Sequence, residues 1–335
     1  MRQKLLLPII AIIWMISSVN SAEVTCEWNG EVCKILSATP VIAPNETITI
    51  AGRATNYINS ASSYIVFNST ILRYVPTNFF KFFPYLNSFA MINTFTTNLV
   101  TDAFTNCQYL NTLGIYYVNI QNVPEGFAQS CSNVRILWLV NAGIQTIDVN
   151  AFKGMTKLEF LTMPDNKIAC LPPDLFQNIP LISEINIENS KILAVDSGLF
   201  RNLPRLHIIN LSRNLLSYLP LFDFTGSAAL NGNLAFFLST NPINAIHPSF
   251  CNIFDTRPTN VVDMFDIPNF NCLPRTAQTA TLLKSNCRTT MASYLQVCYG
   301  NWTTAMSYPV PCASSSCALF LWKQFLNYLK TVTYQ

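Results

Sequence analysis

Apolar residues recur through the middle of the chain with a fixed period. Leu86, Leu110, Val134, Leu158, Ile182 and Leu206 stand 24 residues apart, and each opens the same register. Three positions on come Phe89, Leu113, Leu137, Leu161, Ile185 and Ile209; five positions on come Met91, Ile115, Leu139, Met163, Ile187 and Leu211. Thirteen positions on stand Leu99, Val123, Ile147, Leu171, Val195 and Leu219. At eighteen stand Phe104, Phe152, Phe176 and Phe200, with Phe127 one place early. Apolar residues at offsets three and five alternate with polar or variable ones, which predicts a short strand with its apolar side turned inward. One such strand cannot bury that side alone. Stacking successive units as a parallel ladder, ~4.8 Å apart, builds a continuous core, and the phenylalanine fills the far side of each coil.

The register extends backward to an atypical unit opening at Ser62 and forward, after a three-residue insertion, to one opening at Asn233. That makes about eight coils over residues 62–250. The consensus L-x-x-L-x-L-x-x-N-x-I-x-x-I with a later Phe is clearest in "LEFLTMPDNKIACLPPDLFQNI" and "LHIINLSRNLLSYLP". It resembles the extracellular leucine-rich repeat family. The resemblance implies an α/β solenoid with a parallel β-sheet on the concave face and cysteine-containing caps. The family's offset-eight asparagine is present as Asn166, Asn214 and Asn241, whereas Thr94, Val118, Ala142 and Ser190 replace it elsewhere. Irregular backbone pairing is expected at those four places.

A solenoid ends in exposed core and unpaired strand edges, so both ends need covering. Residues 22–61 are expected to form the N-terminal cap. Within it "CEWNGEVC" reads as a hairpin about Asn29-Gly30, which places Cys26 directly opposite Cys33 within disulfide reach, and "ETITIAG" reads as a strand. Residues 251–335 carry Cys251, Cys272, Cys287, Cys298, Cys312 and Cys317 and are expected to form a partly helical C-terminal cap. Six cysteines allow fifteen pairings, among which sequence does not choose.

The chain opens with Arg2 and Lys4, an apolar run from Leu5 to Ile16 and then small residues, which reads as a secretory signal peptide over residues 1–21. An N-terminal membrane anchor is the alternative. Removing the signal takes the formal charge from +3 to +1, because Arg2 and Lys4 leave with it. No later stretch is long and apolar enough to span a bilayer. A secreted, extracellular protein without a membrane span is therefore expected.

Export changes how the eleven cysteines read, since in an oxidising compartment they form a disulfide framework. Cys107 and Cys131 share offset twenty-one in adjacent coils, where a coil-to-coil disulfide competes with two buried free thiols. Cys170 lies between the inward residues Ile168 and Leu171, so it is expected to point outward, as a free thiol or as the attachment point of a covalent partner. Sequons at Asn45, Asn68, Asn210 and Asn301 add candidate N-glycosylation sites. Charged residues are 11% of the chain against a usual ~25%, so Asn, Ser, Thr and glycan must supply much of the surface.

Outward strand positions of the ladder define a concave face. Tyr116, Tyr117, Trp138 and Phe160 fall on three consecutive coils and form one candidate ligand-binding patch, flanked by acidic Glu159, Asp165, Glu184 and Glu188. Aromatic residues also suit strands for packing alone. Asn68 and Asn210 occupy concave offsets in coils one and seven, so glycans there would bracket the patch. His207 and His247 are the only histidines, and no catalytic or metal-binding motif accompanies them. The expected function is non-enzymatic recognition of a protein, glycan or surface ligand, with no cofactor, no metal and no nucleic-acid partner, in innate immunity or cell-surface signalling. A matrix or structural assembly role is the alternative.

Overall fold

In a computed structural model, the structure describes residues 21–29, 32–38, 47–51, 64–68, 72–77, 79–243, 245–246, 250 and 261–263. The C-terminal cysteines, the expected cap helices, Asn45, Asn301 and residues 1–20 of the expected signal peptide lie outside them. In chain order the strands are β1 (Ser21–Asn29), β2 (Val32–Ala38), β3 (Thr47–Ala51), β4 (Tyr64–Asn68), β5 (Ser88–Ile92), β6 (Thr112–Tyr116), β7 (Asn122–Val123) and β8 (Ile136–Val140). They continue as β9 (Thr146–Ile147), β10 (Phe160–Thr162), β11 (Glu184–Asn186), β12 (Ile208–Asn210), β13 (Tyr218–Leu219), β14 (Ala235–Phe237), β15 (Ala245–Ile246) and β16 (Val261–Asp263).

Twelve of these form one sheet in the order β16-β14-β12-β11-β10-β8-β6-β5-β4-β2-β1-β3. From β4 to β16 every pairing is parallel, and from β4 to β12 each partner lies 24 residues away: Ile65 with Phe89, Phe89 with Leu113, Leu113 with Leu137. The inward side chains at offsets three and five are buried throughout, and each backs onto its equivalent in the next coil. Behind them runs a spine of buried rings. Phe104 meets Phe127 edge-on at 5.7 Å, and Phe200 stacks between Phe176 and Phe224 at 6.3 and 5.9 Å. Two-stranded ladders β7-β9 and β13-β15 support the second apolar row, which includes Val123, Ile147 and Leu219.

The ladder reaches past the expected limits at both ends. β16 pairs in parallel with β14, so the sheet continues beyond residue 250 into the expected C-terminal cap. At the other end β2 pairs in parallel with β4, aligning Cys33 with Ile65 and Ile35 with Phe67. This corrects the expected hairpin register. Asn29 pairs with Val32, Trp28 with Cys33 and Cys26 with Ile35, so Cys26 and Cys33 are not directly opposed. The parallel alignment with the first coil fixes which residues of β2 face inward, and a local turn preference yields to that larger burial. The Cys26 and Cys33 side chains, and the bond expected between them, lie outside the described residues.

Between coils two and three Cys107 and Cys131 are joined by a disulfide across a Cα separation of 4.8 Å, and both are buried. The bridge closes a loop with a sequence separation of 24, for which chain entropy gives a stabilisation of about 3 kcal/mol. Cys107→Ser/Cys131→Ser is expected to lose about that amount, read as a lowered thermal melting temperature under non-reducing conditions, with no change of fold by circular dichroism.

Coils lacking the offset-eight asparagine depart from the expected irregularity. β5, β6 and β8, which precede Thr94, Val118 and Ala142, are five-residue strands, whereas β11, which precedes Ser190, has three residues, as do β10 and β12 before Asn166 and Asn214. Other donors and acceptors take over the asparagine's work. Thr96 Oγ1 donates to the Leu72 carbonyl, the Ile120 amide donates to the Ala142 carbonyl, and Ser190 Oγ donates to the Met163 carbonyl. The residues after Ala142 and Ser190, Gly143 and Lys191, are left-handed at φ 72° and 67°. Local backbone geometry thus replaces one side chain with another solution.

Candidate functional site

Strand alternation places Tyr64, Val66, Ile92, Tyr116, Ile136, Trp138, Val140 and Phe160 on the face opposite the core, all of them partly buried. Offset four narrows along the first coils from Val66 to Ala90 to Gly114 and then widens to Trp138. The narrowing seats a ring. A Cβ built on Gly114 would lie 2.5 Å from Tyr116 Cε2, so the Tyr116 side chain lies back across its own strand over this glycine. Its ring centroid is 6.1 Å from that of Trp138, tilted by 41°. Burial pushes the Tyr116 phenol well above its ordinary pKa, and the nearby Tyr64 adds to the shift. The hydroxyl is therefore a neutral hydrogen-bonding group at physiological pH. Tyr64 belongs to this floor although sequence reasoning did not select it; the signal was the run of small residues at offset four, which lets a ring from coil three reach across.

The other predicted residues separate into two places. Phe160, Glu184 and Trp138 are on concave strand positions of adjacent coils, with Phe160 aligned to Ile136 and Glu184. Tyr117 and Asp165 are not on strands. Both are exposed at the strand-exit rim with left-handed φ values of 54° and 60°, in a row with Asn93, Asn141, Asn189, Arg213 and Thr240. Offset seven is thus where each coil turns away from the concave face.

Two of the four residues of the expected acidic flank are ion-paired. Arg135 bonds Glu159 at 2.6 Å and holds its carboxyl below the usual range. Glu188 is 3.4 Å from the Arg213 guanidinium and accepts a hydrogen bond from Asn210, while Asp165 accepts one from Asn189. Glu184 has no ion-pair partner among the described residues. The strand positions of coils one to four carry no charged residue.

Asn68 and Asn210, the concave sequon asparagines, each end a strand, in coils one and seven. His207 is exposed with Nδ1 3.1 Å from the Arg205 carbonyl, and His247 lies outside the described residues. No three His, Cys, Asp or Glu side chains converge as a metal site among the described residues. Cys170 requires a correction. It is itself disulfide-bonded and its backbone bridges Ala194 in parallel, so it is neither a free thiol nor an arm for a second molecule. Sequence spacing within one coil could not show what tertiary packing brings to it.

A profile described as "Leucine rich repeat" matches residues 132–192 and 180–232. The chain folds as a leucine-rich repeat solenoid. Similar solved structures include the TLR13–ssRNA13 complex, with a TM-score of 0.54 and 18% identity over 66% of this chain and 32% of that one. The LRIM1/APL1C complex has a TM-score of 0.55 and 18% identity over 73% of this chain and 42% of that one. The APL1 leucine-rich repeat domain has the same TM-score and identity over 72% and 64%. The chain therefore spans about a third to two thirds of the length of these structures. No curated protein matches it in sequence.

Proposed function

We propose that this leucine-rich repeat protein is a secreted, extracellular, non-enzymatic recognition protein that holds a protein or surface ligand on the concave face of coils two to six. Innate immunity or cell-surface signalling is the setting that suits such a molecule. The observation that carries the reading is the Tyr116 ring seated over Gly114 beside Trp138, where the strand positions of coils one to four carry no charge. Tyr and Trp supply contact area at low entropic cost and are enriched among binding hot spots. Similar folds occur in a complex of LRIM1 with APL1C and in a complex of TLR13 with single-stranded RNA, so the scaffold serves more than one ligand class. A protein or surface ligand fits this chain better than RNA, because the strand positions of coils one to four carry no positive charge to neutralise phosphates and Arg135 beside them is paired with Glu159. Secretion is supported by the signal-like N-terminus and by the Cys107–Cys131 disulfide. Among the described residues no helix is long and apolar enough to cross a membrane.

The test compares capture of partners from native extracellular fluid by the mature protein and by Trp138→Glu. The tryptophan is partly exposed on a sheet that stays paired, so the variant is expected to fold. Placing a carboxylate in the uncharged floor should weaken capture of one partner at least tenfold. Undiminished capture of every partner by a folded variant would remove the concave patch as the recognition site.

A further inference from the structure

We propose that the strand-exit rim of coils two to four is a second binding site, for a neutral glycan, separate from the concave floor. Asn93, Tyr117 and Asn141 occupy the same position on three consecutive coils and present amide, ring, amide to solvent. Their backbones are locked in register: Asn93 N–H donates to the Tyr116 carbonyl at 3.1 Å, Tyr117 N–H to that of Val140 at 3.0 Å, and Asn141 N–H to that of Pro164 at 3.0 Å. The row therefore advances by one strand spacing per group, ~4.8 Å, a step comparable with one pyranose unit. Phe95, two residues after Asn93 in coil two, is a second exposed ring.

Folding does not account for the aromatic choice. Tyr117 is left-handed, at φ 54°, a conformation that favours Asn, Asp and Gly and disfavours bulky side chains. It is 54% exposed, and Phe95 is 64% exposed, so neither ring contributes much to the core. Rings held open at a conformational cost are a feature of binding surfaces.

The surroundings define the ligand. Between residues 82 and 134 the only charged residues are Asp102 and Glu125. Asp102 lies in the 3₁₀ turn Thr101–Phe104 behind the strands, and Glu125 is ion-paired with Lys153. The next rim position after Asn141 is Asp165, in coil five, whose carboxylate accepts a hydrogen bond from Asn189; a charged ligand on coils two to four would lose hydration and find no counter-charge at the three rim positions themselves. The carboxamides of Asn93 and Asn141 make no hydrogen bond to the protein among the described residues. An apolar protein segment covering the row would leave both amides unpaired, which is costly, whereas sugar hydroxyls pair them and a pyranose C–H face covers the Tyr117 ring.

The mature full chain would be applied to an array of neutral oligosaccharides built from N-acetylglucosamine, mannose, glucose and galactose, with heparin and sialylated glycans as charged controls. Retained sugars would then be titrated by calorimetry. Binding of a neutral oligosaccharide is expected, weakened at least tenfold by Tyr117→Asn and by Asn93→Ala and left within twofold by Trp138→Glu. Tyr117→Asn installs the residue that coils two, four and six already carry there, so its melting temperature should be equal or higher. Three results would overturn the proposal: no neutral sugar bound, binding confined to charged glycans, or binding unchanged in Tyr117→Asn. Loss by Tyr117→Asn of a captured protein, with no sugar bound, would assign the rim to a protein contact instead. A neutral-sugar loss that follows Trp138→Glu but not Tyr117→Asn would move the ligand to the concave floor.

Discussion

Phe200→Ala is expected to destabilise the C-terminal coils by about 4 kcal/mol, the cost of removing a large buried ring whose site cannot collapse. Phe200 is fully buried at the centre of four others. Phe176 and Phe224 stack on its two faces, while Phe222 and Phe236 meet it at 5.5 and 6.0 Å. Each of these rings is held by its own coil, and each coil is pinned by sheet hydrogen bonds, so neighbours cannot move inward to fill the void. Neighbouring coils in a solenoid stabilise each other, so a cavity between two of them weakens their coupling. Chemical denaturation should show an added early transition from coils six to eight, leaving the disulfide-linked coils two and three to unfold later. Phe200→Leu, which restores most of the volume, should recover more than half of the loss. Equal loss in both variants would mean that ring stacking, rather than volume, holds this part of the spine.

Asn214→Ala is expected to cost about 3–5 kcal/mol, although it removes a single polar side chain. Asn214 Oδ1 accepts from the Ser190 and Ile192 amides, both at 3.0 Å, and Nδ2 donates to the carbonyls of Ile187, Leu211 and Ser212. All of this takes place inside the molecule, where the amides it abandons cannot reach water. Ala142 shows that alanine is tolerated at this offset, which at first argues against so large an effect. The tolerance depends on its neighbour. Gly143 turns left-handed at φ 72° and the Ala142 carbonyl takes the Ile120 amide, whereas Asn214 is followed by Leu215. Leucine adopts that conformation only at a cost. Asn214→Ala/Leu215→Gly should therefore be more stable than Asn214→Ala alone, and equilibrium unfolding of the two variants checks it.

The 24-residue period was enough to fix the inward residues of every coil, the parallel ladder and the phenylalanine spine, because burial of a repeated apolar set dominates every local preference. It also placed Trp138 and Tyr116 on one face, since a strand alternates by necessity. Three features were beyond it. The hairpin register at Cys26 and Cys33 followed the parallel docking of β2 on β4, a long-range pairing that a local turn signal does not contain. The exposed residues of the rim, Tyr117 and Asp165, were merged with the concave face, because where a strand ends depends on the φ of offset seven and not on hydrophobicity. Charge on the flank was read residue by residue, while Arg135 with Glu159 and Arg213 with Glu188 are pairs made only when coils stack.

The sequence by itself determined the solenoid, because a repeated pattern that cannot bury its apolar side within one coil has few ways to bury it except against its own copies. Only the tertiary structure decided how the surface is arranged. The Tyr116 ring settles over Gly114 through side-chain packing, Cys170 is bonded rather than free, and the Tyr117 ring is held at the rim between two open amides. Each of these depends on distances between coils, and a linear pattern carries periodicity but no distance.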